Sequence, residues 1–144
     1  MDEPKYFTPG DTIETDKSNL IPIGMQICYD LRFPEAARYL CSQGASLLVY
    51  TANWPSLRGE HWNHLLKARA IENQCFVVGA NRIGSDKWGE YCGNSQIISP
   101  TGKILVSAKQ EETYSGTIVS LDTEIMKARS KFNVHEDRKI NFKI

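Results

Sequence analysis

The stretch from Ile21 to Glu35 constrains this chain more than any other. Ile21, Ile23, Met25 and Ile27 alternate with Pro22, Gly24, Gln26 and Cys28, the period-two pattern of a strand with one apolar face. Pro34 then opens a helix, since proline suits the first helical position. Cys28 therefore falls at a strand end, a few residues before a helix start. Backbone N–H groups converge there and the positive end of a helix dipole lies close. Both favour a thiolate, and the same turn can offer N–H groups to a developing oxyanion. Cysteine is also a frequent core filler, so spacing alone leaves a nucleophile and a packed thiol both open.

The rest of the chain reads as α/β. Residues 1–20 form an extended polar segment with a turn at Pro9-Gly10. The helix from Pro34 to about Gln43 places Ala37, Leu40 and Cys41 on one stripe, with Gly44 as its left-handed stop. Ser46 to Tyr50 is a strand whose run Leu47-Leu48-Val49-Tyr50 is continuously apolar, of the kind covered on both faces. Asn53-Trp54-Pro55 follows at its carboxyl end, the edge where open α/β sheets place ligands. A long helix runs from about Gly59 to Gln74, and Phe76 to Asn81 is the third strand. Strand, helix, strand, helix, strand implies right-handed crossovers into one sheet.

After that the pattern changes. Residues 82–94 read as a polar loop, and Ser95–Ser99 and Lys103–Val106 flank Pro100-Thr101-Gly102 as a hairpin. A further strand is expected from about Gly116 to Leu121, then a short helix capped by Asp122 and ending near Ser130. The tail from Asn133 reads as extended.

Composition removes several function classes. The chain has 144 residues, one domain's length, and 17 basic and 17 acidic residues that cancel. These charges are interspersed, so no basic stripe for nucleic acid emerges. No apolar run approaches the roughly 18 residues of a membrane helix, and the first residues lack a signal-peptide pattern. A cytosolic protein without a membrane partner is expected. Cys28, Cys41, Cys75 and Cys92 form no C-x-x-C pair, so neither zinc nor a disulfide framework is expected. His61 and His64 are three apart on the long helix without a third ligand nearby, which favours a surface role. Glu60 reads as a surface carboxylate and Glu72 as a structural hydrogen-bonding group. Arg32 lacks the glycine-rich cradle of a phosphate loop.

Gln26-Ile-Cys28-Tyr-Asp-Leu-Arg-Phe-Pro-Glu35 resembles the nucleophile signature of the nitrilase, or carbon-nitrogen hydrolase, superfamily, and most of all its omega-amidase-like branch. Tyr6-Phe7-Thr8-Pro9-Gly10-Asp11, Thr51-Ala52-Asn53-Trp54-Pro55, Lys67 to Asn73 with Val77 to Arg82, and Gly93-Asn94-Ser95 with Ser99-Pro100-Thr101-Gly102 resemble further family segments in the same order. The resemblance implies a fold of half a nitrilase-type α-β-β-α four-layer sandwich, with residues 1–144 as one incomplete domain bearing the nucleophile, the carboxyl-terminal half. It implies hydrolysis of a small aliphatic amide through a Cys thioester. Cys28 would be the nucleophile and the Tyr29 N–H the backbone oxyanion donor. Asn53 and Trp54 would border the substrate, and Glu3 would stand where the family has a second carboxylate. No metal or cofactor is implied.

The family's general-base Glu and its Lys, in a Lys-x-His-Leu-like context, lie upstream of the segment matched here. Losing a general base costs about 10²- to 10⁴-fold in rate, and losing one oxyanion donor about 10²- to 10³-fold. The chain alone is therefore expected to be close to inactive, with an apolar sheet face left open. Three readings follow. A separate amino-terminal half supplies Glu and Lys to a small amide substrate site; a non-catalytic remnant persists as a binding or dimerising module; or the coding sequence begins upstream of Met1. A homodimer through the helices at 34–43 and 59–74 is expected for the complete protein.

Overall fold

A computed structural model describes residues 5–18, 20–108, 116, 118 and 120–139. Its main sheet has six strands in the order β1-β2-β3-β4-β7-β8, and β5 and β6 form a separate two-stranded ribbon. The strands are β1 (Thr15–Asp16), β2 (Ile23–Ile27), β3 (Leu47–Ala52), β4 (Phe76–Asn81), β5 (Ile83–Asp86), β6 (Gly89–Cys92), β7 (Gln96–Ile98) and β8 (Ile104–Ser107). The helices are α1 (Pro34–Ser42), α2 (Gly59–Asn73), α3 (Leu121–Lys131) and α4 (Val134–Asp137). β2, β3 and β4 are parallel neighbours joined through α1 and α2, the crossover arrangement expected from the strand-helix alternation. β1, β7 and β8 extend this block by antiparallel pairing.

The alternation in β2 is real, but its faces are reversed from a simple apolar-inside expectation. Gly24 and Gln26 are buried, whereas Met25 and Ile27 stay 64% and 67% exposed. The reason lies in the helix packing. A Cβ on Gly24 would sit 2.8 Å from Leu48 and 3.0 Å from Leu40, so only a glycine lets α1 approach this strand so closely. Gln26 is tolerated inside because its Oε1 accepts the hydroxyl proton of the fully buried Tyr50. The strand register sets Met25 beside Val49, Val78 and Ile97 in one apolar row on the opposite face.

The core lies between the helices and the sheet. Leu31, Ala37, Leu40, Leu48, Tyr50, Trp62, Leu66, Ala70 and Val77 are fully buried in it. α2 buries Trp62, Leu66, Arg69, Ala70 and Asn73, a stripe at helical spacing that carries one guanidinium. It ends at Gln74, left-handed with φ of 47°, whose Nε2 donates to the Ala128 and Phe132 carbonyls and so anchors α3.

Several expectations are corrected. The leading segment contributes the short edge strand β1, held in part by the Thr15 hydroxyl donating to the Leu40 carbonyl. Residues 82–94 form the β5–β6 ribbon rather than a loop. β6 opens at Gly89 with a φ of 131°, just after the turn at 87–88, and the strands carry too little apolar alternation to register as strands in sequence. Asp122 lies in the first turn of α3 and does not cap it; Ser120 occupies the cap position without a side-chain hydrogen bond. Leu121 starts that helix, and of the strand expected at 116–121 residues 117 and 119 lie outside the described residues. The tail contains α4, started by Asn133 Oδ1 accepting the His135 N–H. Among the described residues no helix is long and apolar enough to cross a membrane.

Candidate active site

β2 ends at Ile27, and a 3-10 turn runs from Cys28 to Arg32 before α1 begins. Cys28 has a φ of 45°, the left-handed region, which costs a non-glycine residue about 1 kcal/mol or more. The corner is fastened at both ends. The Ile27 N–H donates to Asp30 Oδ2 at 2.9 Å, the Phe33 N–H donates to the Asp30 carbonyl at 2.9 Å, and the Leu31 carbonyl accepts from Arg69 Nη2 at 2.7 Å. The first N–H groups of a 3-10 turn have no acceptor within it. Tyr29 is second in this turn.

A cavity of about 860 Å³ opens at this corner, and its walls include Tyr6, Phe7, Cys28, Tyr29, Asn53 and Ala80. Cys28 is only half-buried, whereas Cys41, Cys75 and Cys92 are at most 8% exposed. The Cys75 thiol is pushed up by its hydrogen bond with Cys41 and by burial, and the Cys92 thiol is pushed up by burial. Neither suits a nucleophile. A second cavity of about 310 Å³ lies against the β5–β6 ribbon, and its walls, among them Ser56, Glu90 and Tyr91, include no thiol or imidazole.

The residues singled out in sequence separate here. Cys28, Tyr29 and Asn53 meet at the large cavity. Trp54 does not line it. Its side chain is buried against Trp62, with ring centroids 5.5 Å apart, and its indole N–H donates to the Arg58 carbonyl. Glu3 lies outside the described residues. His64 is on the surface beside Glu60, with His61 exposed on the same helix, and among the described residues no three potential metal ligands come together. Glu72 accepts from Arg69 at 2.9 Å and its backbone carbonyl accepts from Arg38, the structural role read from sequence.

Three contributions escaped sequence reading. Tyr6 and Phe7 come from the polar leading segment, which the sequence marks by resemblance to a family segment but not as part of the cavity wall. Arg32 places its guanidinium carbon 4.7 Å from the Trp54 ring centroid and 5.8 Å from that of Tyr29, a residue of the cavity wall. Asn81, 7% exposed at the end of β4, holds the Asn53-Trp54 loop. Its Oδ1 accepts the Trp54 N–H at 2.7 Å and its Nδ2 donates to the Gly93 carbonyl at 2.7 Å.

Comparison with known proteins agrees with this geometry. Residues 1–128 match the model of the carbon-nitrogen hydrolase family. A "hydrolase in agr operon" from Staphylococcus lugdunensis is 44% identical over 85% of this chain and 53% of its own length. A 2-oxoglutaramate amidase from Paenarthrobacter nicotinovorans is 41% identical over 95% of this chain and 48% of its own length. Among solved structures, the CN-hydrolase superfamily protein XC1258 from Xanthomonas campestris, described with an arsenic adduct in its active site, superposes with a TM-score of 0.87 at 32% identity. That match covers 99% of this chain and 56% of XC1258. The chain thus spans about half the length of the relatives it matches. From the mixed α/β sheet, the strand-end thiol and these similarities together, the chain belongs to the carbon-nitrogen hydrolase family.

Proposed function

We propose that this chain supplies the nucleophile side of an amidase site, in which Cys28 attacks the carbonyl carbon of a small primary amide. One observation carries the reading: a half-buried thiol, on a left-handed corner, opens into a cavity large enough for a small substrate. The thiol proton passes to a general-base Glu contributed by the complementary half of the domain. Sulfur bonds to the carbonyl carbon, and the carbonyl π pair moves onto oxygen. The Tyr29 N–H and a Lys of the complementary half hold that oxyanion. Collapse breaks the C–N bond, the leaving nitrogen takes the proton and departs as ammonia, and water hydrolyses the thioester to a carboxylate and the free thiol. The resemblance gives Glu3 the role of a second carboxylate, and the complete protein is a homodimer.

Arg32 supports a substrate class. A guanidinium close to the rings of Tyr29 and Trp54 offers N–H donors to an anion. A short dicarboxylate monoamide presents an amide to Cys28 and a carboxylate to Arg32, and a similar protein bears the name 2-oxoglutaramate amidase. The test is ammonia release from such monoamides by this chain co-expressed with the complementary half. Release that Cys28→Ala abolishes is the expected result. A folded complex that releases none would instead favour a binding module.

A further inference from the structure

We propose that Arg69 is a positioning residue for the nucleophile, acting through the Leu31 carbonyl; this rests on the amidase reading of Cys28. Arg69 is a charged group in the most apolar place available to it. It is 3% exposed, on the buried stripe of α2 between Leu66 and Ala70. A guanidinium so placed is costly unless its donors are matched and a counter-charge is near. Two of its nitrogens have partners, and the third, Nε, is buried without one among the described residues. Nη1 donates to Glu72 Oε1 at 2.9 Å, one turn further along α2, and Nη2 donates to the Leu31 carbonyl at 2.7 Å, across the core.

The second bond gives the charge a task. Leu31 is the fourth residue of the turn that begins at Cys28, and its side chain is fully buried. The turn starts from a left-handed cysteine, a backbone shape that an L-residue keeps only when its surroundings over-determine it. Asp30 secures the front of the corner through the Ile27 N–H. Arg69 secures the back from a different element, so the corner is clamped between the end of β2 and α2. Glu72 orients the clamp and is itself braced from α1 by Arg38, whose guanidinium donates to the Glu72 carbonyl and lies 3.9 Å from its carboxylate. A charged network spanning both crossover helices thus converges on one carbonyl behind the thiol. Its effect is to fix where the Cys28 sulfur and the Tyr29 N–H point, without touching substrate.

The test compares Arg69→Met, Arg69→Lys and Glu72→Gln in the full chain, assembled with its complementary half. Three readouts are used: kcat and KM for a monoamide, the alkylation rate of Cys28 by iodoacetamide, and hydrogen exchange of amides 29–33 against those of α2. In Arg69→Met, kcat should fall by about 10²-fold while KM stays within about twofold, because a misplaced reacting group slows chemistry more than binding. Alkylation of Cys28 should change, and exchange should rise in 29–33 before it rises in α2. Arg69→Lys keeps one charged donor and should recover part of kcat. Glu72→Gln keeps the Leu31 bond and should fall between wild type and Arg69→Met. Should Arg69→Met fail to fold, Arg69→Lys and Glu72→Gln carry the same comparison. Folded variants with wild-type kcat, Cys28 alkylation and 29–33 exchange would overturn the positioning role. If the wild type releases no ammonia but alkylation and local exchange still respond to Arg69, the amidase reading fails and the positioning role stands.

Discussion

Asn81 accepts the Trp54 N–H at 2.7 Å through Oδ1 and donates through Nδ2 to the Gly93 carbonyl, so one buried amide ties the loop after β3 to the loop before β7. Asn53, on the cavity wall, is the residue immediately before that anchor. Replacing Asn81 with Ala leaves the Trp54 N–H and the Gly93 carbonyl without this partner. A loss of about 1–3 kcal/mol in unfolding free energy is expected, measured by urea titration, together with a raised KM in the assembled enzyme. An unchanged KM would detach this loop from substrate binding.

Gly79 sets how closely α2 lies on the sheet. A Cβ there would stand 2.5 Å from Leu66 and 2.8 Å from Trp62, both fully buried. Gly79→Ala should therefore cost about 1–3 kcal/mol through overpacking. Gly10, whose added Cβ would meet nothing nearer than 3.8 Å, provides the control, and Gly10→Ala should leave the denaturation midpoint close to wild type.

His135 predicts an acid-side loss of stability. Burial lowers its pKa below 6.5, opposed by its bond to the Asn73 carbonyl, while Arg129, Arg38 and Arg138 add to the lowering. A histidine that is harder to protonate when folded contributes stability that is whole above 6.5 and fades as pH falls toward its folded value. Thermal midpoints recorded from pH 8 down to about pH 5 should decline more steeply in wild type than in His135→Gln. Parallel curves would remove His135 as the source.

Arg32 supplies the specificity prediction. Arg32→Met keeps an apolar stem beside Trp54 but removes the charge. For a dicarboxylate monoamide, kcat/KM should drop by about 10- to 100-fold, the worth of a charge-assisted hydrogen bond. A neutral amide of similar length should be hydrolysed at nearly the wild-type rate. Equal losses for both substrates would move Arg32 from recognition to scaffolding.

Legibility in the sequence followed physical cause. The parallel block was readable because β3 and β4 each carry an apolar run, Leu47–Tyr50 and Phe76–Val78, and because Gly44 and Gln74 follow the two crossover helices. The ribbon at Ile83–Asp86 and Gly89–Cys92 was not, since its residues are mostly exposed and a backbone ladder between polar residues leaves no periodic mark. The apolar face of β2 was visible, but which layer it faced was not. That depended on Gly24 admitting Leu40, a contact 16 positions away. At the site, Cys28 and Asn53 were legible from their place at strand ends. Trp54 was one position from the cavity yet turned inward, a difference set by the alternation of the chain after β3. The Leu31 carbonyl held by Arg69 and the Trp54 and Gly93 groups held by Asn81 lie 12 to 38 residues distant, beyond the reach of local pattern.

The central claim is a covalent bond between Cys28 and the acyl group of the substrate. The direct measurement is mass spectrometry of the assembled enzyme quenched in acid during turnover of a dicarboxylate monoamide. A peptide spanning Cys28 should carry the acyl mass as a thioester, released by hydroxylamine and lacking in Cys28→Ala. Turnover that continues with no acyl group on that peptide, or that survives Cys28→Ala, would contradict the account.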